Sequence, residues 1–134
     1  MPKLLKIISA TSIVLCLILF AAGCNTKLQN LSETIEKYNN LLRWGGVRAV
    51  TSLIEEDAQK DILKKKLKEM ENKSVVEYAL VDLTMDKKKK NATAIMQYSC
   101  IYQKTQSLKT VSEIQLWKYD RGDWKLSKIM GDKK

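Results

Sequence analysis

Three carboxylates fall in stretches whose apolar residues alternate: Glu77, Asp82 and Glu113. A carboxylate turned into an apolar pocket is pushed toward its protonated form and can act as a general base. One on the outer side of a sheet is simply solvated, and that is the ordinary expectation for all three. Glu113 differs in its company. It alternates with Val111, Gln115, Trp117 and Tyr119, so a Glu–Gln pair shares a strand face with two aromatic rings. Together with Tyr98 and Trp124 from neighbouring stretches, Glu113, Gln115 and Trp117 form a candidate pocket lining. The same pattern fits the polar outer face of a half-exposed strand, and strand aromatics more often pack on one another than hold a ligand.

The missing chemistry narrows the field. The 134 residues contain no histidine, which removes histidine triads, histidine metal sites and histidine pH switches. There is no glycine-rich phosphate loop, no Cys-x-x-Cys, no Gly-x-Ser-x-Gly and no metal-ligand cluster. No metal and no cofactor is expected, and no catalytic residue is assigned. The net charge of +9 comes mainly from lysine, with Arg43, Arg48 and Arg121 the only arginines. Arginine is the residue that grips phosphate with two parallel bonds. The lysines cluster at Lys87 to Lys90, between two strand-like stretches, and at Lys64, Lys65, Lys66 and Lys68 on a helical one. Solvated charge is the expectation for both clusters, with an anionic membrane surface the next partner and nucleic acid excluded.

The cysteines point to a compartment. Residues 7–23 carry no charge, Lys3 and Lys6 precede them, and Ala21-Ala22-Gly23-Cys24 closes the stretch. A positive start, an apolar core and small residues at the end is the layout of a secretory signal peptide. An uncleaved anchor helix is the alternative, although 17 residues is short for a bilayer span. Ala21-Ala22-Gly23-Cys24 resembles the lipobox of bacterial lipoproteins, with Ala21 where leucine is usual. The resemblance implies cleavage between Gly23 and Cys24 and acylation of Cys24. Residues 1–23 are then the signal peptide, 24–27 a lipidated tether and 28–134 a single folded domain. The protein is expected to be exported and held on a bacterial membrane through lipid on Cys24. By the sorting rule of that family, Asn25 favours the outer membrane in a cell with two. Cys100 remains without a partner and sits in an apolar strand pattern, so a buried, inert thiol is expected.

The elements that position these residues are legible from periodicity. Thr26 to Gln29 and Asn30 to Glu33 have the spacing of a helix start. Leu28, Leu31, Ile35, Tyr38 and Leu42 then form one apolar helix face, and Gly45-Gly46 ends it. Trp44 is expected to plug the core. A second helical run carries Val47, Val50, Leu53 and Ile54 on one side. A third, over 57–71, turns Ala58, Ile62, Leu63, Leu67 and Met70 inward and Lys60, Lys64, Lys65, Lys66 and Lys68 outward. From Ser74 the period becomes two, predicting strands over 75–85, 92–103, 108–119 and 124–130. Asp120-Arg121-Gly122-Asp123 has the composition of a tight hairpin turn. The second strand places Ala94, Met96, Tyr98, Cys100 and Tyr102 on one face, and the fourth places Trp124, Leu126 and Met130. The fold class is α+β, with N-terminal helices packed on a curved, four-stranded antiparallel sheet.

Leu116 to Ser127, LWKYDRGDWKLS, resembles the terminal hairpin of nuclear-transport-factor-2-like domains, where a strand ends in a charged-glycine turn and restarts with Trp-Lys-Leu. The order of elements across 28–130 is similar as well, with a cystatin-like helix on a sheet as the competing arrangement. The resemblance implies a cone with a pocket between sheet and helices. It maps no catalytic motif onto this chain. The function expected is a membrane-anchored, non-enzymatic interaction or accessory domain of the cell envelope. Its partner would be an envelope protein or a small apolar ligand. A small-molecule binding module using the cone pocket is the first alternative, and an isomerase- or dehydratase-like enzyme the second.

Overall fold

The structure, a computed structural model, describes residues 26–131. The expected leader, its cleavage between Gly23 and Cys24, and the expected acylation of Cys24 all lie outside the described residues. Among the described residues no helix is long and apolar enough to cross a membrane. The chain divides into two compact units, one ending at Glu33 and the other starting at Thr34. The described part of the first unit is the opening of helix α1 (Thr26–Trp44), with Leu31 buried and Leu28 exposed. Asn30 lies inside this helix and does not start it.

The second unit begins with the remainder of α1, in which Ile35, Tyr38, Asn39 and Leu42 are buried. The helix stops where Gly45 N–H donates to the Leu41 carbonyl at 2.6 Å, and Gly46 follows at a φ of 85° that favours glycine. Trp44 does not plug the core. It is 73% exposed, with the Arg43 guanidinium 4.6 Å from its ring centroid. The inward stripe is already complete with Leu42, and the chain leaves the helix one residue after Trp44. The next run, Val47–Leu53, is a 3-10 helix. Its buried residues Val47, Val50 and Leu53 are three apart, which is one turn of that helix. The short 3-10 turn Glu56–Ala58 leads into helix α2 (Gln59–Glu69). The Gln59 amide donates to the carbonyls of Thr51 and Ile54, both at 3.2 Å, and ties the start of α2 to the preceding helix.

The face that α2 presents differs from the expected one. Ile62 is buried, but the next buried residue is Lys66, at 4% exposure, while Leu67 is 43% exposed. Residues four apart share a helix face, so burying Ile62 also carries Lys66 inward. That is tolerable because Glu113 waits opposite.

Four strands form an antiparallel meander in the order β1 (Lys73–Met85), β2 (Asn91–Tyr102), β3 (Ser107–Asp120) and β4 (Asp123–Gly131). Each strand lies within two residues of its predicted limits. Arg121 and Gly122 take φ values of 52° and 87°, the paired left-handed residues of a type I′ hairpin. The β1–β2 turn is built on Asp86. Its carboxylate accepts from the backbone N–H groups of Lys90 and Asn91 and from the Asn91 amide, and the bond from Asn91 leads in holding its pKa below the usual range.

The inner face of β2 holds Ala94, Met96, Tyr98 and Cys100, all buried. Three register shifts break the pairing, two between β1 and β2 and one between β3 and β4. Such bulges bend a strand and sharpen its twist. The last explains why Ile129, and not Met130, is buried with Trp124 and Leu126. Leu116 pairs with Lys128 and Trp117 with Leu126, leaving Ser127 as the extra residue. Its hydroxyl donates to the Leu116 carbonyl at 3.0 Å. One unpaired residue reverses which side chains face inward.

The helices preceding the sheet match the nuclear-transport-factor-2-like order and not a single cystatin-like helix. Replacing the two tryptophans separates core from surface. Trp44→Ser should change the unfolding free energy by no more than about 0.5 kcal/mol, whereas Trp117→Ala should cost about 3–5 kcal/mol in urea titrations. Equal losses would place Trp44 in the core after all.

Candidate functional site

Glu113 is not on the outer side of the sheet. It is 7% exposed, facing inward from β3 between Val111 and Gln115. Glu77 and Asp82 are exposed on β1, where they pair across to Ser99 and Ile95. The expectation of a solvated carboxylate therefore fits those two and fails for Glu113. The reason lies on α2. Lys66 Nζ donates to Glu113 Oε1, and also to Glu69 Oε2 at 3.3 Å. The buried charge is thus met by a buried opposite charge.

The other oxygen is engaged as well. Glu113 Oε2 accepts from the Gln115 amide at 2.9 Å and lies 3.2 Å from the Tyr98 hydroxyl. Gln115 also donates to the Tyr98 oxygen at 2.9 Å and accepts from the Trp117 indole N–H at 3.2 Å. Tyr98 reaches a second acceptor, Asn39 Oδ1, whose own amide donates to the Ile35 carbonyl at 2.8 Å. A phenol has one proton, so Asn39 and Glu113 compete for it. Burial raises the pKa of Tyr98 well above 10, and the charge of Glu113 raises it further. The same two causes act in that order on Tyr38, so both phenols remain neutral. Tyr38 packs edge-on against Trp117, with ring centroids 5.6 Å apart and planes at 86°. Its buried hydroxyl has no hydrogen-bond partner among the described residues.

This network borders a cavity of about 500 Å³, within the range of small-molecule pockets. Tyr98, Glu113 and Lys66 reach it from within. Val75, Cys100 and Val111 form its sheet wall, Leu42 and Met70 its helical wall, and Lys73, Tyr102 and Lys109 lie toward one end of the sheet. Two further hollows, of about 600 and 840 Å³, are lined mostly by charged side chains, and none of the buried polar residues described lines either. Cys100 is a free, buried thiol, and burial is the main cause pushing its pKa up. That leaves little thiolate to react.

The five candidate lining residues separate into groups. Tyr98 and Glu113 line the cavity. Gln115, bonded to both, and Trp117, bonded to Gln115, are buried beside them but do not line it. Trp124 is buried at the hairpin end, its ring 5.2 Å from that of Tyr119, and does not line the cavity. Sequence reasoning missed Lys66 and Asn39. The available signal was spacing: each lies four residues after a buried isoleucine, Ile62 and Ile35, on the same helix face. Among the described residues no group of acidic or cysteine side chains could hold a metal ion.

No protein-family model matches the chain, and no curated protein matches it in sequence. Solved structures resemble it in fold. A SEC-C motif containing protein from Rhodopseudomonas palustris superposes with a TM-score of 0.61 at 10% identity, covering 75% of this chain and 77% of its own. A protein assigned as a calcium/calmodulin-dependent kinase II association domain, from Exiguobacterium sibiricum, gives 0.59 at 11% identity over 81% of this chain and 95% of its own. One assigned as a polyketide cyclase, from Xanthomonas campestris, gives 0.55 at 8% identity over 77% and 93%. At such identities the likeness is one of fold: helices on a four-stranded antiparallel sheet.

The ion pair makes a quantitative demand. Lys66→Met strands a buried carboxylate and should cost about 3–5 kcal/mol. Adding Glu113→Gln to that variant should recover more than half of the loss in denaturant titrations, giving a strongly non-additive cycle. Additive losses would mean that the two charges are not coupled.

Proposed function

We propose that this chain is a non-enzymatic, membrane-anchored domain of the bacterial cell envelope that binds a small, largely apolar molecule in the cavity between α2 and the sheet. The observation that carries the binding reading is a cavity of about 500 Å³ with an apolar wall and a polar floor whose groups already bond one another. Such a floor asks little of a ligand. Val75, Val111, Leu42 and Met70 offer the apolar contact that small-molecule sites use for affinity. A general base needs an oxygen free to meet its substrate. Both Glu113 oxygens are occupied, by Lys66 on one side and by Gln115 and Tyr98 on the other, so binding is favoured over isomerase or dehydratase chemistry. The fold alone does not choose between these uses.

The anchoring part rests on Ala21-Ala22-Gly23-Cys24 and the apolar stretch before it. Two or three acyl chains on one residue hold a protein stably on a bilayer, whereas one does not.

Two experiments test the two parts. The neutral fluorophore N-phenyl-1-naphthylamine should show saturable enhancement with the protein. Val111→Trp, which fills the wall, should weaken it at least about ten-fold, or ~1.4 kcal/mol, without loss of the circular dichroism spectrum. No saturable signal, or one unchanged by Val111→Trp, would remove the cavity as the site. For the anchor, Cys24→Ser should abolish incorporation of a fatty-acid analogue and leave the precursor uncut. Normal maturation of that variant would end the lipoprotein reading.

A further inference from the structure

The cavity is unevenly charged along its length. At the inner end Lys66 is shared between Glu69 and Glu113, so two carboxylates face one ammonium. At the other end stand Lys73 on β1 and Lys109 on β3. The sheet register explains why they meet. Lys73 pairs with Tyr102, and Lys109 pairs with Cys100, two residues away on the same face of β2. Both ammonium groups therefore lie against one ring, Lys73 Nζ at 5.8 Å and Lys109 Nζ at 5.3 Å from the Tyr102 centroid. Neither is in an ion pair among the described residues. A ring face attracts a cation but does not neutralise it, so an anion at this end of the cavity would be attracted by both lysines.

We infer that the cavity selects amphiphilic anions, with the anionic head, a carboxylate or a phosphate, at Lys73, Lys109 and Tyr102 and the apolar body against Val75, Cys100 and Val111. The orientation follows from charge. A head group carried to the inner end would meet Glu69 and Glu113 and would have to take Lys66 away from both. At the outer end it meets two cations that have no carboxylate partner. The apolar wall between the ends suits a hydrocarbon or aromatic body.

This inference rests on the cavity reading proposed above, and its test separates the two. N-phenyl-1-naphthylamine bound to the protein is displaced by decanoate, decyl phosphate or decanol, each below its micellar concentration. Decanoate or decyl phosphate should displace it at least ten-fold more effectively than decanol, and the stronger of the two identifies the head group. Lys73→Gln combined with Lys109→Gln should abolish that preference and leave displacement by decanol unchanged. High salt should reduce the preference in the unmodified protein. Equal displacement by all three would overturn the anion selectivity while the cavity still binds. Displacement by none, with no bound fluorophore to begin with, would overturn the cavity reading and this inference with it.

Discussion

The contact on which the site depends is the ion pair between Lys66 and Glu113. Taking a carboxylate and an ammonium out of water costs several kcal/mol for each, and only close pairing with further hydrogen bonds offsets it. Here the pairing comes from opposite layers, Lys66 from α2 and Glu113 from β3, 47 residues apart in sequence. Each charge is tolerable inside only if the other is in place. The pair therefore constrains the rotation of α2 on the sheet: turned by one residue, the helix would bury Leu67 and leave Glu113 without its cation. Apolar packing could accept either rotation, since Leu63 and Leu67 share the helix face adjacent to that of Ile62 and Lys66. The buried charge cannot.

The rest of the network follows from saturating what that pair leaves open. A carboxylate has two oxygens, and Lys66 occupies one. Gln115 and Tyr98 reach the other, Trp117 satisfies the Gln115 carbonyl, and Asn39 brings α1 into the same set. These side chains come from α1, α2, β2 and β3. A polar cluster of this kind contributes less to gross stability than an apolar one of equal volume, but each member has few alternative partners. Shifting any one element would leave a polar group buried and unbonded, which costs about 1–3 kcal/mol. The conflicting claim of Asn39 and Glu113 on the single Tyr98 proton is the one place where the cluster has more acceptors than donors.

What could be seen in the sequence depended on whether a local period decided it. The strands, the Arg121-Gly122 hairpin and the stripe Ile35, Tyr38, Leu42 follow from neighbours within a turn or a pleat. The 3-10 helix was visible in retrospect, because Val47, Val50 and Leu53 repeat at three and not at 3.6. The failures share a different cause. Ile129 replaces Met130 inside because a bulge at Ser127 reverses the alternation, and nothing local to β4 announces it. Lys66 reads as one lysine among five until the partner on β3 is known. Glu113 reads as solvated for the same reason. Each member of the pair is an anomaly alone and reasonable together, so no single stretch of sequence reveals either. The Glu–Gln alternation on β3, in its company of aromatic residues, marks a strand face that the structure turns inward.

The internal bonding of the floor also decides where selectivity can arise. A site with unpaired polar groups discriminates sharply, because the wrong ligand leaves them buried and unsatisfied. Glu113, Gln115 and Tyr98 make no such demand, since their partners are one another. Tyr38 carries the buried hydroxyl without a partner among the described residues, and it is not part of the cavity lining. On the binding reading, an apolar body in the cavity would meet no unsatisfied group of this floor, and shape and volume would set a broad preference. Discrimination passes to the end where charge remains unpaired, at Lys73 and Lys109 around Tyr102. A self-satisfied floor with a charged opening would separate two tasks that many binding sites combine. On the binding reading proposed above, affinity would come from the apolar wall and selection from the two lysines, so either could change without disturbing the ion pair that fixes α2 on the sheet.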